Sequence, residues 1–293
     1  MRRLVILSVH YRHPELLRDA LARIRRCAGP VREELGAELR FWVIVHRWAF
    51  PEALEAVTTE PELCSDFAGW IDLRDLPPEE IPRDGRCHGN SLYKAYWKLR
   101  AEGRLADDDL IAVLDHDAHP LHVRTFALLG APLLAAGAPA GIGIPQWHRG
   151  HCFLHPSMLI TRVEMVEAVG PRRAFRMRLP TPTSLWWCDT CEGLTLWCEA
   201  SGRPILPLRV ESTAFPWSKW DSDMVPNWGT RLAGWHGEPV EVGNLMRYGI
   251  EPGVPLVSHL WAGPLGPYRW MNFAAWTWDE VLAAYLAEPL AED

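Results

Sequence analysis

The stretch that most constrains this chain is Leu110-Ile111-Ala112-Val113-Leu114 running straight into Asp115-His116-Asp117. Five apolar residues are too few for a free-standing helix. They read as a strand buried on both faces, which belongs inside a sheet covered by helices. Asp115 and Asp117 then stand where the strand leaves the sheet. In open α/β sheets ligands bind beyond the carboxyl ends of the strands. Residues two apart in extended chain point the same way, so both carboxylates can reach one cation. Two acids this close repel unless positive charge lies between them. A hard divalent ion suits the pair, because it takes one or two carboxylates and leaves its other positions to water and phosphate oxygens.

Around this stretch the chain alternates between strand-like and helix-like segments. Residues 4–9 and 41–45 read as strands and 70–73 as a third, short one. Pro14 starts a helix, with Leu16, Leu17, Ala20, Leu21 and Ile24 at helical spacing. Residues 51–57 suggest a short helix, and 76–89, rich in Pro, Gly and charge, a loop. Residues 90–99 read as a helix with Leu92, Ala95, Tyr96 and Leu99 on its apolar face. Asn90 and Ser91 fall at its expected start, where a side chain can cap the helix or an anion can meet the positive end of the dipole. Asp107-Asp108-Asp109 reads as a solvated turn at the far end of the organising strand. Further on, 123–136 suggests a helix, 141–144 and 152–160 strands, and 162–169 a helix. Residues 172–185 form an arginine-bearing loop that can be a solvated face or hold an anion. A helix is expected over 189–201, with Asp189 and Glu192 neighbours on its surface. Residues 257–261 read as a last short strand, 279–286 as a closing helix and 288–293 as a frayed tail.

Four places together resemble the GT-A glycosyltransferases, and within them the family 2-like enzymes. They are the opening Val5-Ile6-Leu7-Ser8-Val9-His10-Tyr11-Arg12-His13-Pro14, the Asp115-His116-Asp117 motif, the acidic Asp189-Thr190-Cys191-Glu192 segment, and Ser258-His259-Leu260-Trp261. The resemblance implies a GT-A (Rossmann-like) mixed sheet flanked by helices in a single α/β domain over 1–293. Residues 1–120 would form the nucleotide-binding half and 121–293 the acceptor half, sharing one continuous sheet. It implies that His10, Tyr11 and Arg12 lie at the base and ribose, and that Asn90, Ser91 and Lys94 lie near the donor diphosphate. Asp115, Asp117 and His259 would hold Mn²⁺ or Mg²⁺, with Asp115 also facing the donor; an imidazole ligand favours Mn²⁺. In inverting members a carboxylate at the place of Asp189 removes the acceptor proton, with Glu192 as second choice. The family often has an aspartate just after the second strand, where this chain has His46-Arg47. Asp72 and Asp75 are alternative contacts there.

Composition narrows the function classes. A net charge of −7 with no basic tract argues against nucleic acid as the main partner. No apolar h-region with a cleavage site opens the chain, and no run of ~20 apolar residues occurs, so neither a signal peptide nor a transmembrane helix is expected. Seven cysteines fit reduced thiols and a cytoplasmic setting. Cys188 and Cys191 have C-x-x-C spacing but no second pair to complete a zinc site. Trp147, Trp186, Trp187, Trp217, Trp220, Trp228 and Trp235 are seven of 16 tryptophans and gather in the second half, where they can wall an acceptor site or fill a core.

These readings converge on a metal-dependent, hexosyltransferase-like glycosyltransferase. It would move a sugar from a nucleotide-diphosphate sugar to a small-molecule or glycan hydroxyl, with inversion. Three alternatives stay open: a nucleotidyltransferase, a metal-dependent hydrolase built on His116, His119 and the aspartates, and a GT-A scaffold repurposed for another reaction.

Overall fold

The computed structural model describes residues 1–10, 13–83, 86–148, 151–176, 190–216, 232–233, 239–240, 243–260 and 276–292. Its first half alternates strand and helix. Strand β1 (Arg2–Val9) leads into helices α1 (Pro14–Arg26) and α2 (Ala28–Leu35), then β2 (Ala37–His46), α3 (Pro51–Thr59), a 3₁₀ turn (Pro61–Cys64) and β3 (Ala68–Leu73). Helix α4 (Arg86–Ala101) precedes the organising strand β4 (Leu110–Leu114) and the short β5 (Ala118–Pro120). The second half holds α5 (Thr125–Leu134), β6 (Gly141–His148), β7 (His151–Arg162), α6 (Val163–Val169), α7 (Pro171–Phe175), α8 (Glu192–Ser201), β8 (Leu206–Pro207) and β9 (Arg209–Pro216). Strands β10 (Leu232–Ala233), β11 (Pro239–Val240), β12 (Gly243–Gly249) and β13 (Val257–Leu260) follow, and α9 (Trp278–Leu286) closes the described chain.

Among the described residues the main sheet has seven strands in the order β3-β2-β1-β4-β7-β6-β8. β1 runs parallel to β2 and β4, and β2 parallel to β3, as successive strand–helix–strand units require. β7 enters antiparallel beside β4 and pairs antiparallel with β6. The result is a mixed sheet flanked by helices in one α/β domain, the Rossmann-like architecture expected. The expected single continuous sheet is corrected. β5, β13, β12 and β9 form a separate antiparallel sheet, so the chain changes sheets directly after β4.

The side-chain period of two along β1 builds two cores at once. Leu4 and Ile6 face α1, α2 and α5, where Leu17, Leu21, Val31 and Phe126 meet them. Val5, Leu7 and Val9 face α4, against Leu92, Ala95 and Tyr96. All five residues of β4 are buried, as its uninterrupted apolar run requires. α9 makes a third, smaller core, with Val281 and Tyr285 against Leu16, Leu245 and Leu260.

Several local expectations are corrected. α2 was not foreseen; Gly36 ends it in the left-handed region (φ 59°) and turns the chain into β2. α4 begins at Arg86 and not at Asn90, because its first turn is polar and carries no helical apolar pattern. Part of the expected 172–185 loop is helix α7. Asp109 is not solvated. It is buried and accepts the Arg3 and Ala106 amides at 2.6 and 2.7 Å, tying the start of β4 to β1. The tail is not frayed either: the Ala291 amide donates to the Leu121 carbonyl (2.8 Å), the Val123 amide to the Ala291 carbonyl (3.0 Å), and Glu288 is buried. No helix among the described residues is long and apolar enough to cross a membrane.

Candidate metal centre

The change of sheet after β4 builds the site. Asp115 ends β4, its amide donating to the Ser157 carbonyl of β7 at 3.3 Å. The Ala118 amide donates back to the Asp115 carbonyl at 3.0 Å, closing a tight turn over residues 115–118. β5 then pairs with β13, placing His259 opposite Ala118, while the Leu260 amide donates to the Asp117 carbonyl at 2.8 Å. The two aspartates therefore converge through a turn rather than along extended chain. One ligand atom each from Asp115, Asp117 and His259 lie within 4.8 Å of one another. Asp117 and His259 are buried, and Asp115 is partly so.

A hydroxyl and two further imidazoles complete the surroundings. Ser157 Oγ lies 3.2 Å from Asp115 Oδ2, 3.0 Å from His259 Nε2 and 2.6 Å from His155 Nδ1. His88 Nε2, on the first turn of α4, stands 3.1 Å from Asp115 Oδ1. His116, between the aspartates, turns the other way and packs edge-on against His10 with ring centres 5.5 Å apart.

The electrostatics follow from burial and like charge. Burial, reinforced by the Asp115 carboxylate, holds the Asp117 carboxyl well above its ordinary range. Burial also opposes ionisation of Asp115, but His88, His155 and His259 outweigh it and hold that group well below the usual carboxylate range. Burial brings His259 down to about 3 and His46 and His116 to about 4, which keeps these three imidazoles neutral near neutral pH. A neutral imidazole beside two carboxylates is a donor set that fits a divalent cation accepting both oxygen and nitrogen. Bringing positive charge between the aspartates would offset both the burial cost and the repulsion that hold Asp117 up.

The remaining expected residues are placed differently. His10 is buried at the end of β1, its amide bonded to the Ile44 carbonyl at 2.9 Å. Asn90 and Ser91 lie inside α4 and cap nothing. Asn90 donates to the Glu80 carbonyl (2.7 Å) and accepts from Arg176 Nε (2.5 Å), while Ser91 Oγ donates to the Cys87 carbonyl (2.7 Å). Lys94 pairs with Glu80. Asp72 is engaged by Arg74 at 2.6 Å. Glu192 is buried in the first turn of α8, after a left-handed Cys191 (φ 65°), rather than on an exposed helix face. Tyr11, Arg12, Asp189 and Cys188 lie outside the described residues, as do Trp186, Trp187, Trp217, Trp220, Trp228, Trp235 and Trp261. The histidines of the hydrolase alternative do not gather. His119 is drawn away into a buried ion network, and among the described residues the His/Cys/Asp/Glu group close enough to share a metal is Asp115, Asp117 and His259.

His88 and Ser157 were missed as site residues. His88 fell in an expected loop and Ser157 in an expected strand, so neither was read as a partner of Asp115. Only the packing of α4 and β7 against β4 brings them to Asp115.

No protein-family model matches the chain, and no curated protein matches it. Solved structures similar to it are distant. A mannosyltransferase, PcManGT from Pyrobaculum calidifontis in complex with GDP-Man and Mn²⁺, is 15% identical over 71% of this chain and 55% of its own, with TM-score 0.49. This chain thus spans little more than half of that one. Galactosyltransferase LgtC, in complex with donor and acceptor sugar analogs, is 11% identical over 99% of this chain and 98% of its own, with TM-score 0.44. A 4-diphosphocytidyl-2C-methyl-D-erythritol synthase is 14% identical over 71% and 89%, with TM-score 0.40. Each is a likeness at low score, and the fold assignment rests on strand order and register. A mixed sheet with β4 at its centre, an antiparallel β7 beside it, and an acidic turn passing from β4 into a second small sheet make this a Rossmann-like α/β fold with the acidic turn at the carboxyl edge of its central strand.

Proposed function

We propose that the protein is a metal-dependent glycosyltransferase that takes a nucleotide-diphosphate sugar as donor and a small-molecule or glycan hydroxyl as acceptor. The observation that carries this reading is the buried Asp115–Asp117–His259 cluster at the carboxyl edge of the mixed sheet, its ligand atoms within 4.8 Å of one another. These three residues would hold Mn²⁺ or Mg²⁺, the imidazole favouring Mn²⁺. A divalent ion there supplies Lewis-acid stabilisation of charge on a leaving nucleoside diphosphate.

The chain's own residues divide the remaining work. Asp115 and Asp117 offer oxygen donors from the two sides of the turn. Ser157 orients both Asp115 and His259 through its hydroxyl. The ends of β1 and β2, with His10 and the adjoining Tyr11 and Arg12, are the proposed place of base and ribose. His46, in place of the acid often found there, adds no charge of its own, since burial keeps its imidazole neutral near neutral pH. Asn90, Ser91 and Lys94 stay as proposed donor-side residues, acting through the packing of α4 on which His88 is carried. For acceptor deprotonation we assign Asp189 first and Glu192 second, with inversion as the outcome.

A thermal-shift panel of nucleoside diphosphates, each with and without Mn²⁺, tests this. A ligand that binds only the native state raises its apparent stability by about 2.7 kcal/mol at a hundred times its Kd. The expected result is a Mn²⁺-dependent shift with one nucleotide that disappears in Asp117→Ala. A shift with metal alone and none with any nucleotide would move the assignment to a hydrolase or a repurposed scaffold.

A further inference from the structure

Directly behind the proposed cation site lies a buried ion network that the reaction does not use. His119 follows Asp117 by two residues and is fully buried. Its Nδ1 meets Asp19 Oδ2 of α1 at 2.7 Å, and its Nε2 meets Glu288 Oε2, just after α9, at 3.1 Å. Its ring stacks on Tyr285 of α9 at 4.0 Å between centres, tilted 20°. Arg23 joins the two acids from one side: Nε to Asp19 at 2.7 Å and Nη2 to the Glu288 carbonyl at 2.5 Å. Arg247 of β12 closes the other side by pairing with Glu288. One side chain from β5 thus touches α1 and the segment after α9, and through Glu288 reaches β12.

The placement of these strands matters to the site. β5 is only three residues long, and its partner β13 is four. His119 stands opposite Ser258 and Ala118 opposite His259, so one short ladder sets the relation of Asp117 to His259. Three ladder pairs hold the two strands together through few hydrogen bonds. The buried network, with the Ala291 bonds to Leu121 and Val123, supplies the fixing that the ladder lacks.

We propose that Asp19, His119 and Glu288 form a clamp that sets the position of Asp117 and His259, making Glu288 a positioning residue for cation binding. This rests on the cation-site reading above. Because binding linkage is reciprocal, docking of the C-terminal segment tightens the cation, and the cation tightens docking. Removing partners that orient metal ligands typically weakens metal binding 10–100-fold. Glu288 acts one step further out, through His119 and the strand, so about tenfold is expected for Glu288→Gln.

The experiment has two arms. Mn²⁺ affinity is measured by electron paramagnetic resonance on wild type, Glu288→Gln and Leu63→Ala, well below their melting temperatures. Leu63 is a buried core residue of the 3₁₀ turn beside β3, so its truncation destabilises without touching the clamp. About tenfold weaker binding in Glu288→Gln, with Leu63→Ala unchanged, supports the clamp. Equal affinity in all three overturns it and leaves a plain structural staple. In the second arm, amide exchange of wild type is followed with and without Mn²⁺. Slower exchange over residues 285–291 on adding Mn²⁺ is expected; protection confined to 115–118 and 257–260 overturns the linkage even if Glu288→Gln does not fold. Failure of wild type to bind Mn²⁺ in the first arm sinks the cation site itself, and the clamp's assigned role with it. That outcome differs from unchanged affinity in a variant.

Discussion

Replacing Asp117 by Asn should stabilise the protein without cation and abolish its response to cation. Asp117 is buried beside Asp115, and their ligand atoms lie within 4.8 Å. Two like charges at that separation repel by about 3 kcal/mol at an effective dielectric of ~20. Asn keeps the shape and removes both this repulsion and the cost of burying a charge, so a gain of about 3 kcal/mol is the expected scale once Asp117 is ionised. Unfolding entropy of ~2.1 cal/mol/K per residue gives ~0.6 kcal/mol/K for a chain this long, so that gain corresponds to about 5 °C in Tm. The pH dependence has a definite sign. Asp117 ionises at higher pH in the folded chain than in the unfolded one, so the wild type loses stability as pH rises above the unfolded value. The advantage of the Asn variant therefore grows with pH and levels off once Asp117 is ionised in the native state. Differential scanning fluorimetry from acid to mildly alkaline pH, with and without Mn²⁺, reads both effects. An Asn variant that is less stable at every pH, or one that keeps the full Mn²⁺ shift, refutes the reasoning.

Two further predictions concern stability. Burial lowers His46 and His116 to about 4. The unfolded chain therefore takes up protons that the native chain does not, and stability falls as pH drops below about 6.5, by about 2 kcal/mol per histidine at about pH 5. Urea unfolding of Asp117→Asn, which removes the opposing titration of Asp117, should show this loss at successive pH values; a flat profile from about 7 to 5 in that variant counts against neutral buried imidazoles. Gly193 lies so close to α7 that an added Cβ would sit 2.0 Å from the Arg173 carbonyl oxygen. Gly193→Ala should cost about 1–3 kcal/mol through forced separation of α7 and α8, and an unchanged urea midpoint would show that the helices do not pack so closely.

How far the site can be read before folding differs from residue to residue. The sequence by itself determined β4, because five consecutive apolar residues closed by two acids admit little but a strand buried on both faces. It determined α1, through the 3.6-residue spacing of Leu16, Leu17, Ala20, Leu21 and Ile24 behind Pro14. It also singled out Asp115, Asp117 and His259, through motif and order along the chain. What local pattern cannot carry is distance across the fold. Whether His259 comes near Asp117 depends on β5 pairing with β13, strands of three and four residues separated by more than 130 positions, and such short ladders leave no periodicity to read. His88 and Ser157 enter the site only because α4 and β7 pack beside β4. Asp109 and Glu288 looked like ordinary surface acids in a turn and a tail. Tertiary structure buried both, because each found enough donors to repay the loss of water: two amides and Arg3 for Asp109, and Arg247 with His119 for Glu288.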